Sequence, residues 1–183
     1  MGFIYLWKKN MNLERITNVD NHMYLQAVEL YKISFPEHEQ RERLSQENIL
    51  KNKAYHFDLI YDEDTFVGII LYWEIGGYFY IEHFCILPEM RNKHYGERIL
   101  DLLKERGLIL EIDPPVDDIS IRRKGFYERC GFVKNQYYHI HPPYHIGNSG
   151  HELIVMIRPN KLTDAEYNEF NSFLKDVIMK DAF

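Results

Sequence analysis

Residues 78–106 read YFYIEHFCILPEMRNKHYGERILDLLKER, and this stretch admits few structures. Its first half is a nearly continuous run of strand formers: Tyr78, Phe79, Tyr80, Ile81, Phe84, Cys85, Ile86 and Leu87. Such a run marks a strand covered on both faces. Pro88 ends it, because proline has no N–H to give a neighbouring strand. Ile99, Leu100, Leu102 and Leu103 then recur at helical spacing and predict a helix. Between the two lies Arg91-Asn92-Lys93-His94-Tyr95-Gly96, where the helix begins. The first N–H groups of a helix lack partners inside it, and the helix dipole is positive there. Gly96 lets a ligand come close, and Arg91 and Lys93 add charge, so the junction suits a phosphate.

The rest of the chain surrounds this unit. A short strand is predicted at residues 13–17, then a helix capped by Asp20 or Asn21 and stopped by Pro36. A second, charged surface helix follows over residues 37–51. Strands at 55–61 and 65–75 are joined by Asp62-Glu63-Asp64, a hairpin signal. Beyond the central unit come a strand at 108–112, a helix at 119–130 ended by Gly131, and strands at 132–140 and 152–158. An amphipathic helix over 163–180 carries Phe170, Phe173, Leu174, Val177 and Ile178 on one face. This order predicts one α/β (α+β) domain over residues 1–183, with a mixed, mostly antiparallel sheet of about seven strands and one βαβ unit. The segment 160–183 reads as an additional C-terminal helix, free to cover its own sheet or to pair with a second copy in a homodimer. Residues 1–10 read as an N-terminal extension.

Composition narrows the function. A net charge of −6 argues against nucleic acid as a partner and favours a neutral or cationic small molecule. No apolar run approaches ~18 residues, so no membrane span is expected and the chain reads as cytoplasmic. The two cysteines, Cys85 and Cys130, are placed like small buried hydrophobes rather than a disulfide pair.

The Ile86-Leu87-Pro88 strand end, Arg91, Gly96 and the following helix resemble the pyrophosphate loop of the GNAT superfamily, the acetyl-CoA-dependent N-acetyltransferases. Tyr127-Glu128-Arg129-Cys130-Gly131-Phe132 resembles the Tyr-x-x-x-Gly-Phe ending common in that superfamily, at the expected distance downstream. His94 departs from the pattern, standing where a glycine is usual, although its ring can itself donate to a phosphate. The resemblance covers about residues 12–158. It implies the GNAT fold, acetyl-CoA as cosubstrate, and direct transfer to a primary amine in a ternary complex. It also implies a coenzyme site of Cys85, Ile86, Leu87, Arg91, Asn92, Lys93, His94, Tyr95 and Gly96. The Ile86 N–H would serve the oxyanion, and Tyr127 would act as general acid. Phe35-Pro36-x-x-Glu39, Arg122-Arg123 and Pro142-Pro143-Tyr144 resemble a bacterial GNAT group but imply no particular acceptor. A catalytically silent acyl-CoA-binding module on the same fold is the alternative, and His94 keeps it open.

Acetyl transfer to an amine needs a base for the amine, a donor for the oxyanion and an acid for the thiolate. Glu82 is a carboxylate inside an apolar strand, where burial is expected to raise its pKa toward that of a useful base. The resemblance also points to this strand position. His83 is the second candidate, on the opposite face by strand alternation. Glu111 and Asp113 share a strand face and could hold a cationic amine, with His139 and Tyr144 completing a substrate wall. His139, His141, His145 and His151 invite a metal reading, but their spacing fits no standard site, and no metal is expected there.

Overall fold

The computed structural model describes residues 11–183, and the expected extension at residues 1–10 lies outside the described residues. The sheet is built outward from a hairpin. β2 (Tyr55–Asp62) and β3 (Thr65–Ile75) pair antiparallel, and Asp62 faces Thr65 at their turn. β1 (Met11–Ile16) lies along β2. Gly76, at φ 52, turns the chain into β4 (Tyr78–Ile86), which pairs antiparallel with β3. The chain then forms α3 (Tyr95–Leu102) and returns as β5 (Gly107–Ile112), parallel to β4. This is the expected βαβ unit.

The sheet has eight strands rather than about seven, in the order β1-β2-β3-β4-β5-β8-β6, with β7 also on β8 (His151–Arg158). The extra strand arises because the one expected at 132–140 is two short pieces, β6 (Val133–Lys134) and β7 (His139–His141). Asn135 separates them. Its N–H donates to the Val155 carbonyl, and its buried Oδ1 accepts from the Leu162 N–H, which pulls the chain off the strand path.

Alternation along the strands makes two cores. On one face Leu71, Trp73, Tyr80 and Ile109 meet α1 (Tyr24–Ser34), α2 (Arg43–Ile49) and α5 (Asp164–Phe173). On the other, Ile70, Tyr72, Ile81 and Leu110 meet α3 and the Phe126–Tyr127 end of α4 (Asp118–Arg129). α5 starts with a capping box between Thr163 and Glu166 and runs into a π-helical turn over Leu174–Ile178. The wider winding moves the buried face by one residue, so Leu174 and Ile178 are buried while Val177 is exposed. With Phe170, they cover the protein's own sheet.

The expected surface helix at 37–51 is also different. A 3-10 turn (Glu37–Glu39) comes first, residues 40–42 are extended, and only Arg43–Ile49 is helical. The extended piece carries Arg41 inward, where its side chain is 1% exposed.

Candidate active site

Two irregularities open the sheet at its middle. The β3–β4 register pairs Leu71 with His83 and Tyr72 with Ile81, so Glu82 is the extra residue of a β-bulge. The parallel β4–β5 pairing stops at Ile81 and Leu110. Beyond that point the strands part, and a cleft of about 1340 Å³ lies between them. Arg91, Arg122, Arg129 and the start of α3 line it, together with Glu82, Glu111, His141 and Tyr144. Residues 34–36, 38–39 and 141–144 contribute further lining.

At the α3 end, the loop has the conformation its sequence pattern demands. Asn92 (φ 61) and His94 (φ 60) are both left-handed, and His94 is the N-cap of α3. His94 thus adopts the conformation usually given to glycine, with its ring 78% exposed and Nδ1 3.3 Å from Glu97 Oε2. Arg91 steadies the loop by donating from Nε to the Ile86 carbonyl at 3.3 Å. Tyr95 and Arg98 tie α3 to Asp62 in the hairpin, at 2.9 and 3.2 Å. Gly96 serves packing as well as ligand access, because a Cβ there would stand 2.9 Å from Phe126 Cζ. Of the expected coenzyme residues, Cys85, Ile86, Arg91, Asn92, His94, Tyr95 and Gly96 line the cleft. Leu87 and Lys93 do not: the Leu87 N–H donates to the Val67 carbonyl, and Lys93 Nζ lies 3.5 Å from Met90 Sδ. Burial pushes the Cys85 thiol up to about 11, so it is a poor nucleophile at neutral pH.

At the other end Glu82 contradicts the expected pKa. Burial does raise it, but the Arg41 guanidinium at 3.0 Å, Trp73 Nε1–H at 2.8 Å and the Tyr144 hydroxyl at 2.9 Å overcome burial. The carboxyl is held down to about 2. It is a permanent anion with its oxygens already occupied, ill suited to taking a proton from an amine. The bulge also corrects the facing of His83, which sits on the same face as Glu82. Its ring packs edge-on against Tyr31 and Phe35, and Nε2 donates to the Glu39 carbonyl at 2.9 Å.

Glu111 and Asp113 both line the cleft, yet each is already engaged. Asp113 pairs with Arg123 at 2.7 Å. Glu111 is 5% exposed; it accepts from Tyr80 at 2.5 Å and from His139 Nε2, and His141 Nε2 lies 3.8 Å away. His141 and His139 help hold the Glu111 carboxyl below its usual range despite burial. His139 stands behind Glu111, bridged through Nδ1 to the Tyr167 hydroxyl at 2.9 Å, rather than on the cleft wall. His141 does line the cleft. Its Nδ1 donates to the Pro142 carbonyl at 2.6 Å, which leaves the Nε2 lone pair without a hydrogen-bond partner among the described residues. The ring of Tyr144 stacks on it at 5.1 Å.

Tyr127 packs between Phe126 and Phe132 on the α4 wall, at 5.1 and 5.5 Å. Burial pushes its hydroxyl up to about 12, so it stays protonated at neutral pH. Gly131, at φ 86, ends α4 and lets the Phe132 N–H close back on the Tyr127 carbonyl. The four histidines considered together do not converge: His139 and His141 meet Glu111, His145 meets the Glu37 carbonyl, and His151 meets Asp113. Sequence reasoning missed Arg41 and Trp73 in this site, and it named His141 only as a member of the histidine loop, without a role in the transfer. The Pro142-Pro143-Tyr144 motif was the nearest available signal for His141, since it fixes the loop that the ring hangs from.

Fold and cleft define an acyltransferase of the GNAT type, and comparison with known proteins agrees. A family model described as acetyltransferase (GNAT) family matches residues 9–132. A Bacteroides thetaiotaomicron structure assigned to the GNAT family is 31% identical, with a TM-score of 0.85 over 92% of this chain and 98% of that one. The Bacillus subtilis acetyltransferase in complex with CoA shares the fold at TM-score 0.54 and 12% identity, over 84% of this chain and 99% of that one. A spermidine N-acetyltransferase chimera involving Vibrio cholerae shares it at TM-score 0.56 and 16% identity, over 88% and 99%. No curated protein matches the sequence. The chain belongs to the GNAT acetyltransferase family, whose cosubstrate is acetyl-CoA. Among the described residues, no helix is long and apolar enough to cross a membrane.

Proposed function

We propose that this protein transfers an acetyl group from acetyl-CoA directly to a primary amine of a small, cationic acceptor in the cytoplasm. One observation carries the reading: a single cleft joins a positive helix start to a buried histidine–carboxylate pair across the split of β4 and β5. The pyrophosphate lies on the N–H groups at the start of α3, with Arg91, Arg122 and Arg129 near its charge. The acceptor enters from the other end, where Glu39, Asp113 and Glu152 line the cleft. A neutral amine attacks the thioester carbonyl, the Ile86 N–H receives the oxyanion, and Tyr127 returns a proton to the departing thiolate. The elevated pKa of the Cys85 thiol supports direct transfer over an acyl-enzyme.

The proton taken from the amine goes to His141, backed by Glu111, rather than to Glu82. His141 and His83 both line the cleft with one ring nitrogen lacking a hydrogen-bond partner among the described residues, and of the two His141 has Nε2 3.8 Å from the Glu111 carboxylate, which would hold the imidazolium formed.

Acetyl-CoA should raise the melting temperature, since it binds the folded chain alone. Thiol release across an amine panel then identifies the acceptor. No shift at about 1 mM acetyl-CoA overturns the reading, because a site of useful affinity would be filled there. His141→Ala should keep the acetyl-CoA shift and lose about 10²-fold in turnover at neutral pH, with the loss shrinking for amines of low pKa. An undiminished rate returns the base role to Glu82, to His83 or to water. A shift without transfer to any amine favours the silent coenzyme-binding module.

A further inference from the structure

The geometry points to a binding site for a zinc-type divalent cation at the cleft mouth, formed by His38, Glu39 and His151. The three residues come from two segments that the fold brings together from opposite ends of the sequence. His38 and Glu39 belong to the 3-10 turn after α1, and His151 opens β8. One potential ligand atom from each residue lies within 4.8 Å of the other two. His38 Nε2 is 3.7 Å from Glu39 Oε1. The two imidazole rings stand 5.9 Å apart at 46°, too far and too tilted to stack, so they share a space without packing into it.

The donor set selects the metal. Two ring nitrogens and one carboxylate suit zinc, cobalt or nickel, whereas magnesium and calcium take oxygen ligands. Ligand atoms about 2.0–2.2 Å from a tetrahedral metal are roughly 3.3 Å apart, so the present spacing must tighten. The side chains can move that far, since His38 is 57% exposed and His151 41%. Three protein ligands leave the remaining position open to water or to a cleft ligand, as in sites with exchangeable coordination.

The surroundings match a metal site beyond its ligands. Asp113 Oδ1 lies 3.5 Å from His151 Nε2, and its other oxygen is held by Arg123 at 2.7 Å. A carboxylate against a metal-bound imidazole orients the ring and raises its basicity. The main-chain carbonyl of Glu39 is fixed by His83 Nε2, which anchors one side of the site to β4. A bound metal would therefore tie the turn after α1 to β8 across the cleft mouth. The inference does not depend on the transfer reaction, and its test reads metal binding directly.

The full chain is stripped with chelator and titrated with zinc chloride or cobalt chloride by calorimetry, with cobalt absorption as the second readout. One metal per chain at micromolar Kd is expected, with a raised melting temperature and cobalt bands of low coordination number. His38→Ala and His151→Ala should each weaken binding by at least about ten-fold, while the exposed His22→Ala should not. Magnesium should not compete. Both ligand variants alter exposed side chains, and their unchanged melting temperatures without metal would confirm that they fold. Absence of binding at 100-fold the expected Kd, binding that survives both substitutions, or equal competition by magnesium overturns the site.

Discussion

At the α3 end of the cleft Arg91 and His94 are exposed and loosely tethered; at the β5 end Arg41, Glu82 and Glu111 are buried and held by several partners. Arg91 makes one long hydrogen bond, and His94 leans on Glu97 in solvent. Glu82 and Arg41, by contrast, are 2% and 1% exposed, and three groups donate to the Glu82 carboxylate. On the proposed function, the difference separates two tasks. An end that must grasp a phosphate and release it cannot spend its donors on internal bonds. An end that must hold a reacting amine in one pose gains from groups that are already locked. Substitutions at the first end should therefore change ligand binding with little cost in stability, and substitutions at the second should do the reverse.

The largest test of that division is Glu82→Gln. The amide keeps the shape but leaves the Arg41 guanidinium buried without its counter-charge, which should cost about 3–5 kcal/mol of stability. Chemical denaturation measures this. Because Glu82 is held to about 2 against an ordinary 4.5, the stabilisation of the wild type is complete above about 4.5 and is lost as pH falls through about 2. The variant should lack that acid limb. Turnover per folded molecule should fall by less than about ten-fold, the scale of a disturbed neighbour rather than a lost base. A stable variant with turnover reduced 10²-fold or more would give Glu82 the base role and erase the contrast between anchoring and reacting groups.

Tyr127→Phe probes the boundary between the two ends and should come next in size. The ring and its packing between Phe126 and Phe132 remain, so stability and acetyl-CoA affinity should hold. Turnover should fall by about 10-fold to 10³-fold, or roughly 1.4 to 4 kcal/mol of barrier, if the hydroxyl protonates the thiolate. Melting temperature and turnover measured on one preparation decide the matter. A loss of about 1–2 kcal/mol in stability with normal turnover would make the tyrosine part of the locked wall.

The same contrast explains what the sequence could and could not reveal. The α3 end is written in one contiguous stretch, so the strand, Pro88, the charged loop and the helix could be read in order. The β5 end is assembled from afar. Arg41 meets Glu82 across 41 positions, and nothing near Glu82 announces a cation. Burial without that partner implies a raised pKa, and burial with it gives the opposite. The bulge was equally hidden, since one unpaired residue in β4 reverses the parity of His83 and depends on where Leu71 and Tyr72 fall in the neighbouring strand. Arg41 lay in a charged run that reads as solvent-facing, and only the extended residues after the 3-10 turn carry it inward. Asn135, which splits one expected strand into two, acts through a bond to Leu162 that no local pattern encodes.

His94→Gly is the finest test, because it asks which part of the loop would hold phosphate. A non-glycine residue in the left-handed region costs about 1–2 kcal/mol, and glycine returns about 0.5–1 kcal/mol of that through its freer unfolded chain. The variant should therefore be more stable by no more than about 1.5 kcal/mol. The imidazole is 78% exposed and directed at Glu97, so its removal takes nothing from the interior. If the backbone N–H groups at the start of α3 are the cradle, acetyl-CoA affinity should stay within about three-fold of wild type, less than 1 kcal/mol. Calorimetric titration on the folded variant would show it. A ten-fold loss of affinity with the stability gain intact would mean that the ring itself reaches the phosphate. The loop end would then also depend on a committed side chain, and the contrast with the buried end would narrow to one of exposure.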